Sequence, residues 1–297
     1  MPVRCEKMSQ NGWLVTHENC LDGVTAAVVG RAAGFTPVFV KPDRVVEGLE
    51  QIPDEGPIYL ADVSLKLDQW SRWGDRIAFL LDHHQSARPL HRFPQVLIDE
   101  SRSGAHLFYD YAVQQKWIPA TPEWERLCLA VERYDLWKPR HDFGQDLGRL
   151  FHAQGYSWYQ NRFCAGFTPF TRQEGDLLAT LIRQEEDFVS QHLKSAIRYQ
   201  NALPFPLYGL TLNDEGPINI IAHRLLEEGA ALVVVLKDEG RLSARTDTRI
   251  DAAQLMESLF CGGGHPRAAG GRLADSTRDD VTAILQEISQ FLTHQTS

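Results

Sequence analysis

The sequence predicts an α/β protein with a parallel-sheet domain, one long linker helix and a smaller C-terminal α/β domain. Three observations carry that prediction. Short β-rich runs alternate with helical patterns through residues 17–137, as βαβ units around a parallel sheet require. Residues 171–200 carry apolar side chains at helical spacing, with no glycine or proline between Asp176 and Gln200. Beyond Pro204 and Pro206, which cannot continue a helix, strand patterns recur at 231–236 and 242–245, and a closing helix follows near 279–292. At 297 residues the chain can support two cores, and the expected partition is 1–170, 171–202 and 203–297.

Taken in order, Leu14-Val15-Thr16 is a buried-strand run that stops on His17, and residues 23–30 read as the helix after the first loop. Phe35–Val40 reads as the next strand. Ile58-Tyr59-Leu60-Ala61 runs into Asp62, Leu80-Leu81 into Asp82-His83-His84, and Val96-Leu97-Ile98 into Asp99. Residues 103–115 read as a helix capped by Ser103, with Ala105, Leu107, Phe108, Tyr111 and Ala112 on its apolar face. Residues 123–137 read as another, and the aromatic-rich stretch 140–170 is left unassigned.

Four apolar runs thus end on a residue able to hold a metal or move a proton. In open parallel sheets the ligand site lies beyond the carboxyl ends of the strands, so such residues converge in space although they are scattered in sequence. His17, Asp22, Asp62, His83 and Asp135 form the imidazole–carboxylate mixture that suits Mn²⁺ or Mg²⁺. Asp99, followed by Ser101 and the helix start at Gly104, reads mainly as a turn or cap former.

Composition narrows the alternatives. The chain is 43% apolar and 23% charged, which is globular rather than disordered. A net charge of −9 argues against an extended basic surface for long duplex DNA. Cys5, Cys20, Cys128, Cys164 and Cys261 include no C-x-x-C pair, so neither a disulfide framework nor a structural zinc pattern is expected. No stretch has signal-peptide character or membrane-spanning length, and a cytoplasmic location is the expectation.

The arrangement resembles the DHH phosphoesterase superfamily, whose name-giving triplet is Asp82-His83-His84 here. Residues 16–23 (Thr-His-Glu-Asn-Cys-Leu-Asp-Gly) look like its first motif, Asp62 like its second and Asp135 like its fourth, so the resemblance covers most of the chain. It implies two ions, Mn²⁺ with Mg²⁺ as the alternative, bridged by Asp62. His17, Asp22, His83 and Asp135 would be the other ligands. Asp82 would orient a histidine, and His84 would face the scissile phosphate. Two such cations about 3.5–4 Å apart clamp attacking and leaving oxygens, and a positioned imidazole acid contributes about 10²–10⁴-fold. The chain departs from the motif at Cys20, where the family commonly has an aspartate. Cys20 is left open as a soft ligand, a group behind the ligands, or a packed thiol.

The run Cys261-Gly262-Gly263-Gly264-His265-Pro266-Arg267 is the second signal. Consecutive glycines let backbone N–H groups approach an anion, and His265 and Arg267 add donors. The run resembles the Gly-Gly-Gly-His signature of the DHH-associated C-terminal domain, which implies a grip on a nucleotide. Arg245 matches that domain's usual arginine and would pair with phosphate. The resemblance implies a nanoRNase-like phosphoesterase acting on short single-stranded oligonucleotides or small nucleotides. Polyphosphate or pyrophosphate hydrolysis is the runner-up, and a silent nucleotide sensor comes third. The long helix would let the two domains close around substrate. Trp137, Tyr156, Trp158 and Tyr159 are candidate base-stacking residues, with core packing as their alternative use. A homodimer is left open.

Overall fold

The structure is a computed structural model that describes residues 12–136, 143–200, 202–212, 217–275, 277 and 280–295. Trp137 and the expected helix start at 279 lie outside these residues. The chain divides into two units, Met1–Leu178 and Ala179–Ser297.

In the first unit the apolar runs pair in parallel as β1 (Gly12–His17), β2 (Phe35–Val40), β3 (Ile58–Ala61), β4 (Ile77–Asp82) and β5 (Val96–Ile98), in the order β2-β1-β3-β4-β5. Side chains alternate across this sheet because the strand period is two. Leu14, Tyr59, Ala61 and Leu81 enter one core, and Val15, Ile58, Leu60 and Leu80 enter the other. The first core is covered by α1 (Leu21–Ala32), α4 (Gly104–Gln114), α5 (Pro122–Asp135) and α6 (Gly144–Phe163). The second is covered by α2 (Val45–Glu50) and α3 (Leu67–Trp73). Burial on both faces is why these strands read as continuous apolar runs. The stretch left unassigned in the sequence is mostly α6, which breaks at Gly155 (φ 79°), and that break scrambles its apolar period.

The chain moves outward from β1 to β2, then returns to the other side of β1 for β3. The carboxyl ends of β1 and β3 therefore flank a point where strand order reverses, where an open α/β sheet leaves a crevice.

The long helix is present as α7 (Arg172–Ser195) but stops earlier than the sequence pattern suggests. Residues 197–199 form β6 (Ile197–Tyr199), antiparallel to β7 (Leu207–Thr211). Ile197 and Tyr199 suit a strand, and ladder hydrogen bonds to β7 override the helical spacing.

The second unit continues with α8 (Ile218–Glu227), β8 (Leu232–Leu236), β9 (Arg241–Thr246), α9 (Ala252–Leu259), β10 (Gly263–His265), β11 (Ala268–Arg272) and α10 (Val281–Gln295). Its sheet runs β10-β11-β9-β8-β7-β6, with only the β7–β8 pair parallel. Leu232, Val234 and Leu236 pack toward α9 and α10, while Val233 and Val235 pack toward α8. Among the described residues no helix is long and apolar enough to cross a membrane.

Candidate metal centre

Each site residue of the first unit owes its place to a strand end or a helix end. His17 is the last residue of β1 and Asp62 the first after β3. Asp82 closes β4, with His83 and His84 next in the chain. Asp22 sits in the first turn of α1, and Asp135 is the last residue of α5. The loop from β1 into α1 is tightly held. Glu18 N–H donates to the Val40 carbonyl (3.0 Å), Asn19 adopts a left-handed φ of 54°, and Thr16 Oγ1 donates to the Gly23 carbonyl (3.0 Å).

These residues meet around His83. Its Nε2 lies 3.2 Å from Asp62 Oδ1, 3.5 Å from Asp135 Oδ2 and 4.0 Å from Asp22 Oδ2. On the other side of the same carboxylate, His17 Nδ1 is 3.6 Å from Asp62 Oδ2. Two donor groups flank the Asp62 carboxylate, His17, Cys20 and Asp62 in one and Asp22, His83 and Asp135 in the other, and a third, Asp62, Asp82, His83 and His84, overlaps them; in each the candidate ligand atoms lie within 4.8 Å of one another. Asp62 Oδ2 is buried and accepts no hydrogen bond. An orphaned carboxylate oxygen in a dry site is costly unless a cation or donor meets it, so these donors fit a divalent cation.

Backbone groups lock two of the carboxylates. Asp22 accepts from the N–H of Gly104 (2.7 Å, Oδ2) and of Ala105 (3.1 Å, Oδ1), both at the N-terminus of α4. A Cβ on Gly104 would lie 2.6–2.7 Å from Asp62 backbone and Cβ atoms, so only glycine lets α4 abut Asp62 this closely. Asp62 itself holds φ at 59°, a conformation unfavourable for a residue with a side chain. Asp82 Oδ1 accepts from His84 Nδ1 (2.7 Å), which orients that imidazole, and from the backbone N–H of His83 (2.8 Å), which fixes the chain there.

Charge crowding shifts these groups apart. Burial and the neighbouring carboxylates push Asp22 well up, and push Asp135 up to about 6. Burial would raise Asp62 too, but the imidazoles of His17 and His83 outweigh it and hold Asp62 below the usual carboxylate range. Burial disfavours the charged form of His83, yet its bond to Asp62 and the other carboxylates push it up to about 10. His84, opposed by burial and favoured by Asp82, is pushed up to about 9. Burial, then the three nearby carboxylates, push the Cys20 thiol well up.

In the second unit the triple glycine forms an edge hairpin. Gly262 would meet the Gly270 carbonyl at 2.0 Å if it carried a Cβ, and Gly264 has φ 147°. Both are explained by packing, the tight-turn use of such glycines. Gly263 is not, since its Cβ would point into open space. Cross-strand register puts Gly263, Gly270 and Ser243 in one row, and His265, Ala268 and Arg245 in the row beside it, on the same face. Arg245 Nε donates to Asn219 Oδ1 (2.8 Å), and its Nη1 donates to Ser243 Oγ (3.0 Å). Arg267 is exposed in the turn between β10 and β11.

Residues 210–294 match the DHHA1 domain family. The matched residues all lie in the second unit. Solved structures extend the likeness over the chain. RecJ of Thermus thermophilus in complex with Mn²⁺ is 17% identical, with a TM-score of 0.59 over 95% of this chain. This chain spans only 52% of that RecJ. A pGpG-specific phosphodiesterase from Vibrio cholerae is 18% identical, with a TM-score of 0.53 over 94% of this chain and 99% of its own. An exopolyphosphatase-related protein from Bacteroides fragilis is 12% identical, with a TM-score of 0.55 over 97% of this chain and 93% of its own. No curated protein sequence matches the chain. The chain therefore shares its fold with these solved structures, and the DHHA1 match lies within its second unit.

Sequence reasoning missed several residues that hold these candidate groups in place. Gly104 and Ala105 bind Asp22 through backbone N–H groups, which leave no side-chain signature. Asn219, which holds Arg245, sits in a helix the sequence pattern did not resolve. Asp99 bonds Ser101 through both its N–H (2.9 Å) and its Oγ (2.6 Å), as a turn former does. Tyr159 is fully buried and bonded to Thr25 Oγ1 (2.8 Å), so of its two expected uses it has the packing one.

Proposed function

We propose that this protein is a metal-dependent phosphoesterase that hydrolyses short oligonucleotides or small nucleotides with two divalent cations, Mn²⁺ or Mg²⁺. The observation that carries the reading is the Asp62 carboxylate. One of its oxygens faces His83 and the other faces His17, so a single side chain serves two donor groups. His17, Cys20 and Asp62 would hold one cation, and Asp22, Asp62, His83 and Asp135 the other. Bound there, the cations supply positive charge to the phosphate oxygens as negative charge builds in the transition state.

The chain's own groups do the rest. Asp82 engages His84 at Nδ1, so the transferable proton is the one on Nε2. Water attacks phosphorus, the ester P–O bond breaks, and His84 delivers its Nε2 proton to the leaving oxygen. Burial opposes a charged His84, but its bond to Asp82 raises its pKa and so favours the protonated imidazole that an acid needs. In the second unit, Arg245 and His265 lie in the row beside Gly263, whose missing side chain leaves room for a phosphate of the substrate to meet the guanidinium. The surplus of acidic residues favours a short substrate whose charge the cations neutralise over a long strand.

The test is Mn²⁺-dependent release of mononucleotide from a 5′-phosphorylated RNA dinucleotide, with inorganic polyphosphate alongside and chelator controls. Mononucleotide release, abolished by chelator, supports the proposal. Orthophosphate from polyphosphate alone replaces the substrate class, and dinucleotide binding without turnover marks a sensor.

A further inference from the structure

The two donor groups around Asp62 are chemically unlike. Asp22, His83 and Asp135 provide oxygen and nitrogen only, the hard set that suits Mg²⁺ and Mn²⁺. His17, Cys20 and Asp62 include a sulfur, with all candidate ligand atoms within 4.8 Å of one another. Cys20 is not used as packing in the way that Cys128 is: Cys128 is fully buried in the apolar core, whereas Cys20 is no member of that core. It holds the N-cap position of α1 with extended backbone (φ −113°, ψ 137°), and the Gly23 N–H of the first turn favours its charged, thiolate form. The loop that carries it is fixed by the Glu18–Val40 and Thr16–Gly23 bonds, so the sulfur is placed before any ligand arrives. The buried Asp62 Oδ2 accepts no hydrogen bond and has His17 Nδ1 3.6 Å away, so a cation held on this side would meet both.

We propose that the His17–Cys20–Asp62 position takes a thiophilic divalent cation of the Zn²⁺ and Co²⁺ class through the Cys20 sulfur. The inference rests on the two-cation reading above and makes the two positions unequal. Thiolate donors select borderline and soft cations over Mg²⁺, while the oxygen-rich neighbour keeps its preference for hard ones. Uptake replaces the S–H bond with a sulfur–metal bond and releases one proton to solvent. The centre would then be mixed, with a firmly held ion at Cys20 and an exchangeable one at Asp135.

The full-length protein, stripped with chelator, is titrated with Co²⁺ and followed by absorption. The expected result is a near-ultraviolet sulfur-to-cobalt charge-transfer band that Cys20→Ser abolishes and Cys261→Ser leaves intact. A band that survives Cys20→Ser overturns the proposal. Co²⁺ binding without a band overturns it while leaving the two-cation reading standing; no binding of Co²⁺ or Mn²⁺ overturns both. X-ray absorption at the zinc edge of the Zn²⁺-loaded parent protein needs no variant to fold. A sulfur neighbour at about 2.3 Å supports Cys20 ligation, and a shell made only of nitrogen and oxygen at about 2.0–2.2 Å overturns it.

Discussion

His84 and His83 are neighbours in the chain, and different carboxylates engage them. Asp82 fixes His84 through Nδ1, while Asp62, Asp135 and Asp22 surround His83 Nε2. Replacing His84 by alanine should lower turnover by about 10²–10⁴-fold, with Mn²⁺ affinity by calorimetry unchanged. The raised His84 pKa also predicts a stability trend in chelator-treated protein. Its pKa of about 9 exceeds the 6.5 of an unfolded histidine, so the pair's contribution is fully present below pH 6.5 and is lost as pH rises through 9. Thermal melts of Asp82→Asn should lose that dependence, and an unchanged slope would remove Asp82 from the account. At His83 the same proton competes with a cation, so Mn²⁺ affinity should increase from pH 6.5 toward 10, with protons released on binding. Affinity that is flat across this range would show that His83 is no ligand.

At the level of elements, the centre depends on how closely α4 approaches β3. The N-terminal amides of α4 hold Asp22, and Gly104 permits contact with the backbone of Asp62. Gly104→Ala puts a methyl group 2.6–2.7 Å from Asp62 atoms. It should cost about 1–3 kcal/mol in denaturant unfolding and weaken cation binding together with stability. If Gly104→Ala is as stable as the parent and binds Mn²⁺ as well, the helix is not what positions Asp62. The start of α4 was legible in sequence because Ser103 caps it, accepting from His106 N–H. The reason for glycine at 104 was not, because the crowding comes from β3, more than forty residues earlier in the chain. The end of α7 was misjudged for a related reason: the spacing of 196–200 is helical, and only pairing with β7 makes Ile197–Tyr199 a strand.

At the scale of the molecule, the first unit carries the candidate cation ligands, and the second carries Arg245 in the row beside the side-chain-free backbone of Gly263. Arg245→Ala should raise KM for a dinucleotide while leaving Mn²⁺ affinity unchanged, and a fall in kcat at unchanged KM would place Arg245 in the chemistry instead. By itself the sequence determined the fold class and the candidate ligands. A strand buried on both faces is continuously apolar and must stop at its polar end, so His17, Asp62 and Asp82 announce themselves locally. Only the tertiary structure decided that Asp62 faces two donor groups at once and that Asp22 is held by α4 amides. It also decided that Cys20 lies with His17 and Asp62 rather than in the apolar core. Strand ends record what each residue is, but distances between them depend on strand order, helix approach and backbone amides. No residue type encodes those.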